Sequence, residues 1–311
     1  MPANVETMFY VREAPWHGLG VCVQDSLSSE DALRESGLDW SVIQRPIMTS
    51  NYKPIAGYKA NIRQTDDRVL GVVTDRYKVV QNHKAFAFTD ALLGAGVRYE
   101  TAGSLNDGKK IWLLAKLPDK YFLEGEEIEP YLVFSNTHDG SGAIKVAMTP
   151  IRVVCQNTLN LALNSAKRSW STIHVGDLAR KMDEAQCTLS LAHDYMSKLG
   201  AEFYKLNRIR LPDTRVMEYI EMLLPMDDKP TELHRNNVKR IRDDLRTRYF
   251  EAPDLRQVGK TAYRFICAVS DYATHAKPLR ETVNYRENVF AKTVEGNPLI
   301  DKAYELVLAA A

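Results

Sequence analysis

The sequence predicts an α+β protein, with a mostly antiparallel sheet and a β-β-β-α core in the N-terminal half and a helical C-terminal half. Short runs rich in Val, Ile and Tyr, each bounded by turn residues, fill the first half. Asn106–Gly108 and Asp139–Gly142 separate such runs and are typical of hairpins, because Gly adopts positive φ at little cost. From Asp177 onward the apolar residues recur every three or four positions, as in amphipathic helices.

The first half alternates strands with one helix. Strands are predicted over 40–48, 58–63, 69–74, 78–80, 97–105, 109–117, 131–136 and 143–154. From His83 to Leu93 the apolar spacing is helical, and Gly94 and Gly96 end this helix. After Cys155 the spacing becomes helical again, so the last strands lead directly into a helix of about ten residues.

The second half is predicted to be helical. Asp177 is a suitable N-cap for a helix that runs to Leu206 and carries an apolar stripe. Further helices are predicted over 214–224, 232–250, 258–275 and 298–308, with prolines near their boundaries. We place a domain boundary near Val175, with an α+β sheet domain over 1–175 and a helical region packing on it over 176–311.

The composition indicates a globular protein without a strong electrostatic field. The chain has 41 Lys and Arg residues against 40 Asp and Glu, so a polyanion would need a local basic patch. Its four cysteines are scattered without a Cys-x-x-Cys pair, which argues against zinc ribbons and a disulfide scaffold. No apolar run approaches the roughly 18 residues of a membrane span, and residues 1–11 lack the features of a signal peptide. We therefore expect an unprocessed cytoplasmic protein that has no membrane contact.

One stretch differs in charge from the rest of the chain. No acid occurs between Asp139 and Asp177, whereas four basic residues do, interleaved with amides, hydroxyls and Trp170. The basic residues are Lys145, Arg152, Lys167 and Arg168. Such a strip predicts a surface that meets an anionic partner, and Asn157, near the predicted helix start, could donate to a phosphate. The competing interpretation is a hairpin turn and a helix cap, with Arg152 paired to a carboxylate of the helical half.

Other patterns allow both a functional and a structural interpretation. His138-Asp139 and His193-Asp194 resemble the pairs that bind a divalent ion in metal phosphohydrolases, but a turn and a solvated helix face explain them more simply. Trp16–Gly20 lacks the spacing of a dinucleotide-binding loop and indicates a packed turn. Cys155 has no convincing His partner, which favours a buried thiol.

A second basic feature lies in the predicted helix over 232–250. Arg235, Lys239, Arg242 and Arg246 are spaced by three and four residues and so share one helical face. Such a face is usually solvated and paired within the helix. It could instead be a second line of phosphate contacts.

Four separated motifs carry a resemblance to a known family. They are Pro15–Gly20 (PWHGLG), Val73–Asn82 (VTDRYKVVQN), Asn136–Gly142 (NTHDGSG) and Thr149–Leu159 (TPIRVVCQNTL). Together they resemble the phage and plasmid family of domain of unknown function 932, over nearly the whole chain. The resemblance implies a mobile-element setting and does not imply a reaction.

The predicted β-β-β-α core, with basic residues on its hairpins, also resembles at the level of fold the Rad52-like and Erf-like single-strand annealing proteins of phages. Such proteins neutralise phosphates along a groove and accept unstacked bases on aromatic or amide groups. This likeness implies a non-enzymatic, cofactor-free DNA-binding protein that acts on single-stranded DNA in recombination, as a homo-oligomeric ring or filament. The residues expected to bind DNA are Lys109, Lys110, Lys145, Arg152, Asn157, Lys167, Arg168 and Trp170.

Two alternatives to DNA binding stay open at this point. The first is a non-enzymatic protein of the mobile element that engages a host protein or counters host defence. The second, which has less support, is a metal-dependent phosphohydrolase or nuclease that uses the His-Asp pairs.

Overall fold

A computed structural model describes residues 5–11, 20–94, 97–117, 121–123, 126–152, 169–189, 192–277 and 297–309. The fold is α+β with mostly antiparallel sheets and a helical C-terminal half, which confirms the predicted class. The chain divides into two compact units. The first comprises Met1–Asp119, Tyr131–Met148 and Lys167–Ala192, and the second Lys120–Pro130, Thr149–Ala166 and His193–Ala311. The domain boundary near Val175 stays a prediction.

The larger sheet has eight strands. They are β1 (Val5–Val11), β2 (Val21–Val23), β6 (Arg98–Leu105), β7 (Lys110–Lys116), β8 (Tyr121–Leu123), β9 (Glu126–Thr137), β10 (Ile144–Arg152) and β11 (Ser169–Thr172). Their order is β11-β10-β9-β7-β6-β1-β2, and β8 pairs with β9. The pair β1–β2 is parallel, whereas β6–β7, β7–β9 and β10–β11 are antiparallel. The short edge strands β2 and β11 limit the open backbone at both sides of this sheet.

The smaller sheet has the order β3-β4-β5, with β3 at Val42–Met48, β4 at Pro54–Arg63 and β5 at Arg68–Thr74. Both of its pairs are antiparallel. The β4–β5 turn is held by Arg63, whose guanidinium donates to Asp66 at 2.8 and 2.7 Å and to Glu6 at 2.8 and 2.9 Å. Arg63 is itself buried, so these carboxylates satisfy a charge that would otherwise be costly inside the protein.

Three helices belong to the first unit: α1 (Ser29–Glu35), α2 (Asn82–Leu93) and α3 (Leu178–Leu189). Ser28 caps α1 by accepting a hydrogen bond from the backbone of Asp31. One face of α2 packs on the larger sheet through aromatic pairs, with ring centroids 5.9 Å apart for Phe88 and Phe134 and 5.0 Å apart for Phe86 and Tyr99.

The second unit is built on helices α4 (Ala192–Arg208), α5 (Asp213–Leu223), α6 (Glu232–Glu251), α7 (Ala262–His275) and α8 (Pro298–Ala309). The first nine residues of α7, from Ala262 to Ser270, are all buried, so this helix is the centre of the unit. A stretch that is buried on every side must be apolar on every side, and these nine residues are apolar apart from Arg264 and Ser270.

Most predicted elements are confirmed within two to four residues at their ends. The predicted helix over 177–206 is described as two helices, α3 and α4, and Asp177 accepts from the backbone of Arg180 at 3.2 Å, as an N-cap does. The strand predicted over 78–80 is wrong. Its backbone bonds to His174 and to the Asn136 side chain, and it forms no strand ladder. The helix predicted after Cys155 lies outside the described residues.

Among the described residues, four strands, one α-helix and a 3-10 helix at Pro253–Leu255 were not predicted; the strands are β1, β2, β8 and β11, and the α-helix is α1. No helix among the described residues is long and apolar enough to cross a membrane.

Candidate nucleic-acid interface

A tight turn over residues 138–143 joins β9 to β10. The Asp139 carboxylate accepts from the backbone N of Ser141 at 2.9 Å and from its hydroxyl at 2.6 Å. Gly140 has φ of 78°, a conformation that other residues rarely adopt, and Gly142 donates to the Thr137 hydroxyl at 3.1 Å. The Asp-Gly-Ser-Gly motif is therefore a turn, as its sequence predicts.

This turn lies at the same end of the larger sheet as three predicted DNA-binding lysines. Lys110 is opposite Thr137 across β7 and β9, and the backbone N of His138 donates to the carbonyl of Lys109 at 2.7 Å. Lys145 is the second residue of β10, just beyond the turn. Because β9 lies between β7 and β10, Lys110 and Lys145 belong to strands roughly 10 Å apart. The topology thus places Lys109, Lys110 and Lys145, all half-buried, at one end of the sheet.

Two acids of the adjoining turns, Asp107 and Asp139, have partners of their own. Asp107, in the β6–β7 turn, pairs with Arg68 at 3.3 Å. The carboxylate of Asp139 accepts the two hydrogen bonds within its own turn.

The structure separates Lys145 from Trp170. Lys145 is opposite Ser171 and Val146 is opposite Trp170 across β10 and β11. Side chains of paired residues point to the same face of a sheet and those of successive residues to opposite faces. Lys145 and Ser171 consequently share one face, and Trp170 lies on the other face with the fully buried Val146. A base stacked on Trp170 would not lie on the face that presents Lys145.

The other four residues predicted to bind DNA lie outside the described residues or have side chains that the structure does not describe. Arg152 is the last residue of β10, and its side chain is not described. Asn157, Lys167 and Arg168 lie outside the described residues. These four roles stay predictions.

Beneath the turn lies a group of buried polar side chains that the sequence reasoning missed. We call it the polar cluster, and it consists of Asn61, Asn82, Asn136, His138 and His174. The amide of Asn61 donates to the carbonyl of His138 at 2.6 Å, which ties β4 to the turn. The amide of Asn82 donates to the carbonyls of Leu38 and Trp40 at 3.0 and 3.3 Å, so its oxygen is left to accept from His138 Nε2 at 3.0 Å.

These contacts determine which nitrogen of each imidazole carries the proton. His138 must be protonated on Nε2, because Asn82 offers it an oxygen. His174 must be protonated on Nδ1, because that nitrogen faces the carbonyl of Lys78 at 3.0 Å. Three atoms that can only accept are then left without a partner among the described residues: Asn136 Oδ1, His138 Nδ1 and His174 Nε2.

Both imidazoles are held neutral by their surroundings. Burial lowers the pKa of His138 to about 3, and the neighbouring His174 adds to this effect. Burial also lowers the pKa of His174, against a smaller opposite effect of its bond to Lys78. The polar cluster is therefore uncharged at neutral pH and adds no positive charge to the lysines above it.

Tyr77 links the parts of the cluster. Its ring stacks on His174, with centroids 4.4 Å apart, and its hydroxyl donates to the carbonyl of Thr137. Asn136 in turn donates to the carbonyl of Val80 at 3.2 Å. Two of the motifs that carry the family resemblance, Val73–Asn82 and Asn136–Gly142, therefore pack against each other here. The sequence signal for this packing was weak, since the first motif contributes Asn82 and the second contributes Asn136 and His138.

The His-Asp pairs do not form a metal centre in the described part of the chain. His138 points into the polar cluster while Asp139 bonds within the turn. No group of three His, Cys, Asp or Glu side chains among the described residues could hold a metal ion. The side chain of His193 is not described.

Comparison with known families identifies the chain. The family model for a domain of unknown function (DUF932) matches residues 69–293, a span that begins in β5 and includes the turn and most of the polar cluster. The chain belongs to the DUF932 family. No curated protein and no solved structure matches it. The family membership expected from the four motifs is confirmed, whereas the likeness of this DUF932 protein to single-strand annealing proteins stays a prediction.

Proposed function

We propose that this DUF932 protein binds single-stranded DNA and acts in the recombination of a mobile element, as a cytoplasmic homo-oligomer. The observation that carries the proposal is the placement of Lys109, Lys110 and Lys145 at one end of the larger sheet, in a chain that is almost neutral as a whole. Cations spaced along a surface neutralise successive phosphates and release counterions, which supplies most of the affinity for a polynucleotide.

Two further features suit this role. Ser169 and Ser171 are exposed on the face of β11 that Lys145 shares, and hydroxyls commonly donate to phosphate oxygens. The polar cluster holds the turn in one conformation through side-chain bonds from β4 and α2, so little conformational freedom is left to lose on binding. Assembly into a ring or filament would align such surfaces along an extended strand. The proposal requires no cofactor.

The test is fluorescence anisotropy of a labelled single-stranded oligonucleotide, titrated with the full chain at several salt concentrations. The variant Lys109→Gln/Lys110→Gln/Lys145→Gln removes the three charges. Since each phosphate contact on a single strand contributes about 0.7 to the log-log salt slope, we expect the slope to become shallower by about 2. Duplex DNA as competitor shows whether single strands are preferred.

A control variant of equal charge uses exposed cations elsewhere in the first unit, Lys53→Gln/Lys84→Gln/Arg98→Gln. Arg98 begins β6 and so lies at the end of that strand away from the lysines. The control should keep the wild-type slope. No change in anisotropy when wild-type protein is added to the oligonucleotide at low salt would refute the proposal.

A second candidate function is binding of a host protein. It is favoured by exposed apolar side chains on the smaller sheet, where Tyr58, Val69 and Val72 are 48%, 54% and 58% exposed. A stoichiometric host partner captured by the wild-type protein, and lost with Tyr58→Lys/Val72→Lys, would support this function. Retention of the same partner by that variant would count against it.

A further inference from the structure

Three cations on α6 are exposed along one face of the helix. Arg235, Lys239 and Arg246 are separated by four and seven residues, which places them within roughly 40° of each other around the helix axis. From the first to the last the helix rises about 16 Å. All three side chains are exposed to solvent.

Several cations of neighbouring helices form ion pairs, whereas these three form none with the residues that the structure describes. On α4, Lys198 pairs with Asp194 at 2.7 Å and Lys205 with Glu202 at 2.6 Å. On α5, Arg215 pairs with Glu218 at 2.7 Å. In α6, which is described over its full length, the Arg ion pairs are those of Arg242 and Arg248.

An acid is available on α6, yet it pairs with neither neighbour. Asp243 is one turn from both Lys239 and Arg246, a spacing at which ion pairs normally form. No ion pair joins Asp243 to either side chain within the described residues. The three cations are exposed and have no ion-pair partner in the described part of the chain, which leaves their charge available to a ligand.

The fourth cation of the sequence pattern has a different role. Arg242 donates twice to the carbonyl of Leu224, at 3.1 and 2.8 Å, just beyond the end of α5. Lys302 of α8 donates to the adjacent carbonyl of Leu223 at 3.0 Å. Both cations therefore stabilise the negative end of α5, as cations at helix C-termini do. Arg242 anchors α6 and leaves the other three cations on the open face.

We propose that Arg235, Lys239 and Arg246 are a line of phosphate contacts for single-stranded nucleic acid, an inference that rests on the proposed function and extends it to the second unit. A membrane surface would require an apolar face beside the charges, and Leu233 is the exposed large apolar residue of this helix. A linear polyanion fits the spacing better, because cations about 6 and 10 Å apart along an axis can each meet a different phosphate of an extended strand.

The experiment compares Arg235→Gln/Lys239→Gln/Arg246→Gln with wild type in the full chain, using the same labelled oligonucleotide and salt series. Gln keeps a high helix propensity, so the helix should persist, and far-UV circular dichroism checks this. We expect a slope shallower by about 2 and an affinity at low salt at least tenfold weaker. The control is Lys198→Gln/Lys205→Gln/Arg215→Gln, which removes equal charge from paired positions and should leave the slope unchanged.

The outcomes separate the two proposals. One outcome is that wild type binds and that the salt slope becomes shallower for the variant at Lys109, Lys110 and Lys145 but not for the α6 variant. The proposed function then stands, and this inference is overturned. An equal loss in the α4 and α5 control would also overturn it, because general charge would then explain the effect. Wild-type protein that does not bind overturns the proposed function, and this inference with it.

Discussion

The interiors of the two units differ in kind. Beside the β9–β10 turn, the first unit buries the amides and imidazoles of the polar cluster. Around α7, the second unit buries rings and aliphatic chains, among them Phe203, Tyr263 and Phe265 at no more than 1% exposure. Its buried charge is that of Arg264, whose guanidinium donates to the carbonyls of Tyr249 and Val258 at 2.8 Å each.

The difference teaches what each unit should be sensitive to. A polar interior loses stability with each donor or acceptor that is left without a partner, because an unpaired buried group keeps its desolvation cost. An apolar interior depends on filled volume and is nearly indifferent to pH. All four Trp residues, at positions 16, 40, 112 and 170, belong to the first unit. Trp emission therefore reports on the first unit, and the helical signal at 222 nm largely on the second.

The largest expected effect comes from removing volume in the second unit. Phe203 is fully buried, with its ring 5.0 Å from that of Tyr263. Phe203→Ala should lower the free energy of unfolding by about 3–5 kcal/mol, measured by urea denaturation at 222 nm. The adjacent Tyr204 is 53% exposed, and Tyr204→Ala should cost less than about 1 kcal/mol. Similar costs for the two variants would contradict the assignment of Phe203 to the core.

Breaking the polar cluster should have the next largest effect. Asn82→Ala removes three hydrogen bonds and leaves buried groups of Leu38, Trp40 and His138 unpaired. We expect a loss of about 3 kcal/mol in the stability reported by Trp emission. Asn236→Ala, at an exposed position of α6, is the control and should be neutral or slightly stabilising. A loss below about 1 kcal/mol for Asn82→Ala would show that the cluster contributes little.

Acid should destabilise the first unit through the two imidazoles. The pKa of His138 is about 3 in the folded protein and 6.5 in the unfolded chain. Between pH 3 and pH 6.5 the unfolded state therefore binds a proton at His138, whereas the folded state does not. The stabilisation of the neutral imidazole is complete above pH 6.5 and is lost as the pH falls. From pH 7 to pH 5 the loss should be about 2 kcal/mol for His138 alone, with His174 acting in the same direction.

Urea denaturation followed by Trp emission at the two pH values measures this loss. Equal stability at pH 7 and pH 5 would contradict the burial of neutral imidazoles. His138→Gln should weaken the dependence on pH, since it removes one of the two titrating groups.

The smallest expected effect is the difference in stability caused by removing the hydroxyl from each of two buried tyrosines. The hydroxyl of Tyr77 donates to Thr137, whereas the hydroxyl of Tyr249 has no hydrogen-bond partner among the described residues. Tyr77→Phe should cost about 1 kcal/mol because it leaves a carbonyl unpaired. Tyr249→Phe should be neutral or stabilising by up to about 1 kcal/mol, because it removes a desolvated hydroxyl. The reverse order in urea denaturation would contradict the described contacts.

Local patterns were enough for the elements with strong periodicity. The helix at Asn82–Leu93 and the helices at 213–223, 232–251 and 298–309 follow from apolar spacing and breaking residues, which are properties of the chain itself. The segment over 78–80 shows the limit of such reasoning. Its two valines are typical of a strand, but the carbonyls of Lys78 and Val80 bond to His174 and Asn136, and nothing local to the segment reveals these partners.

The sequence by itself determined the α+β class, the Asp-Gly-Ser-Gly turn and membership of the DUF932 family, because each depends on residue types at fixed separations along the chain. The tertiary structure alone decided that Lys145 and Trp170 lie on opposite faces of the larger sheet, since strand register determines which side chains share a face. It also decided the polar cluster, whose members are up to 113 residues apart between Asn61 and His174. Such contacts arise when strands and loops pack together, and the spacing of residue types along the sequence does not predict them.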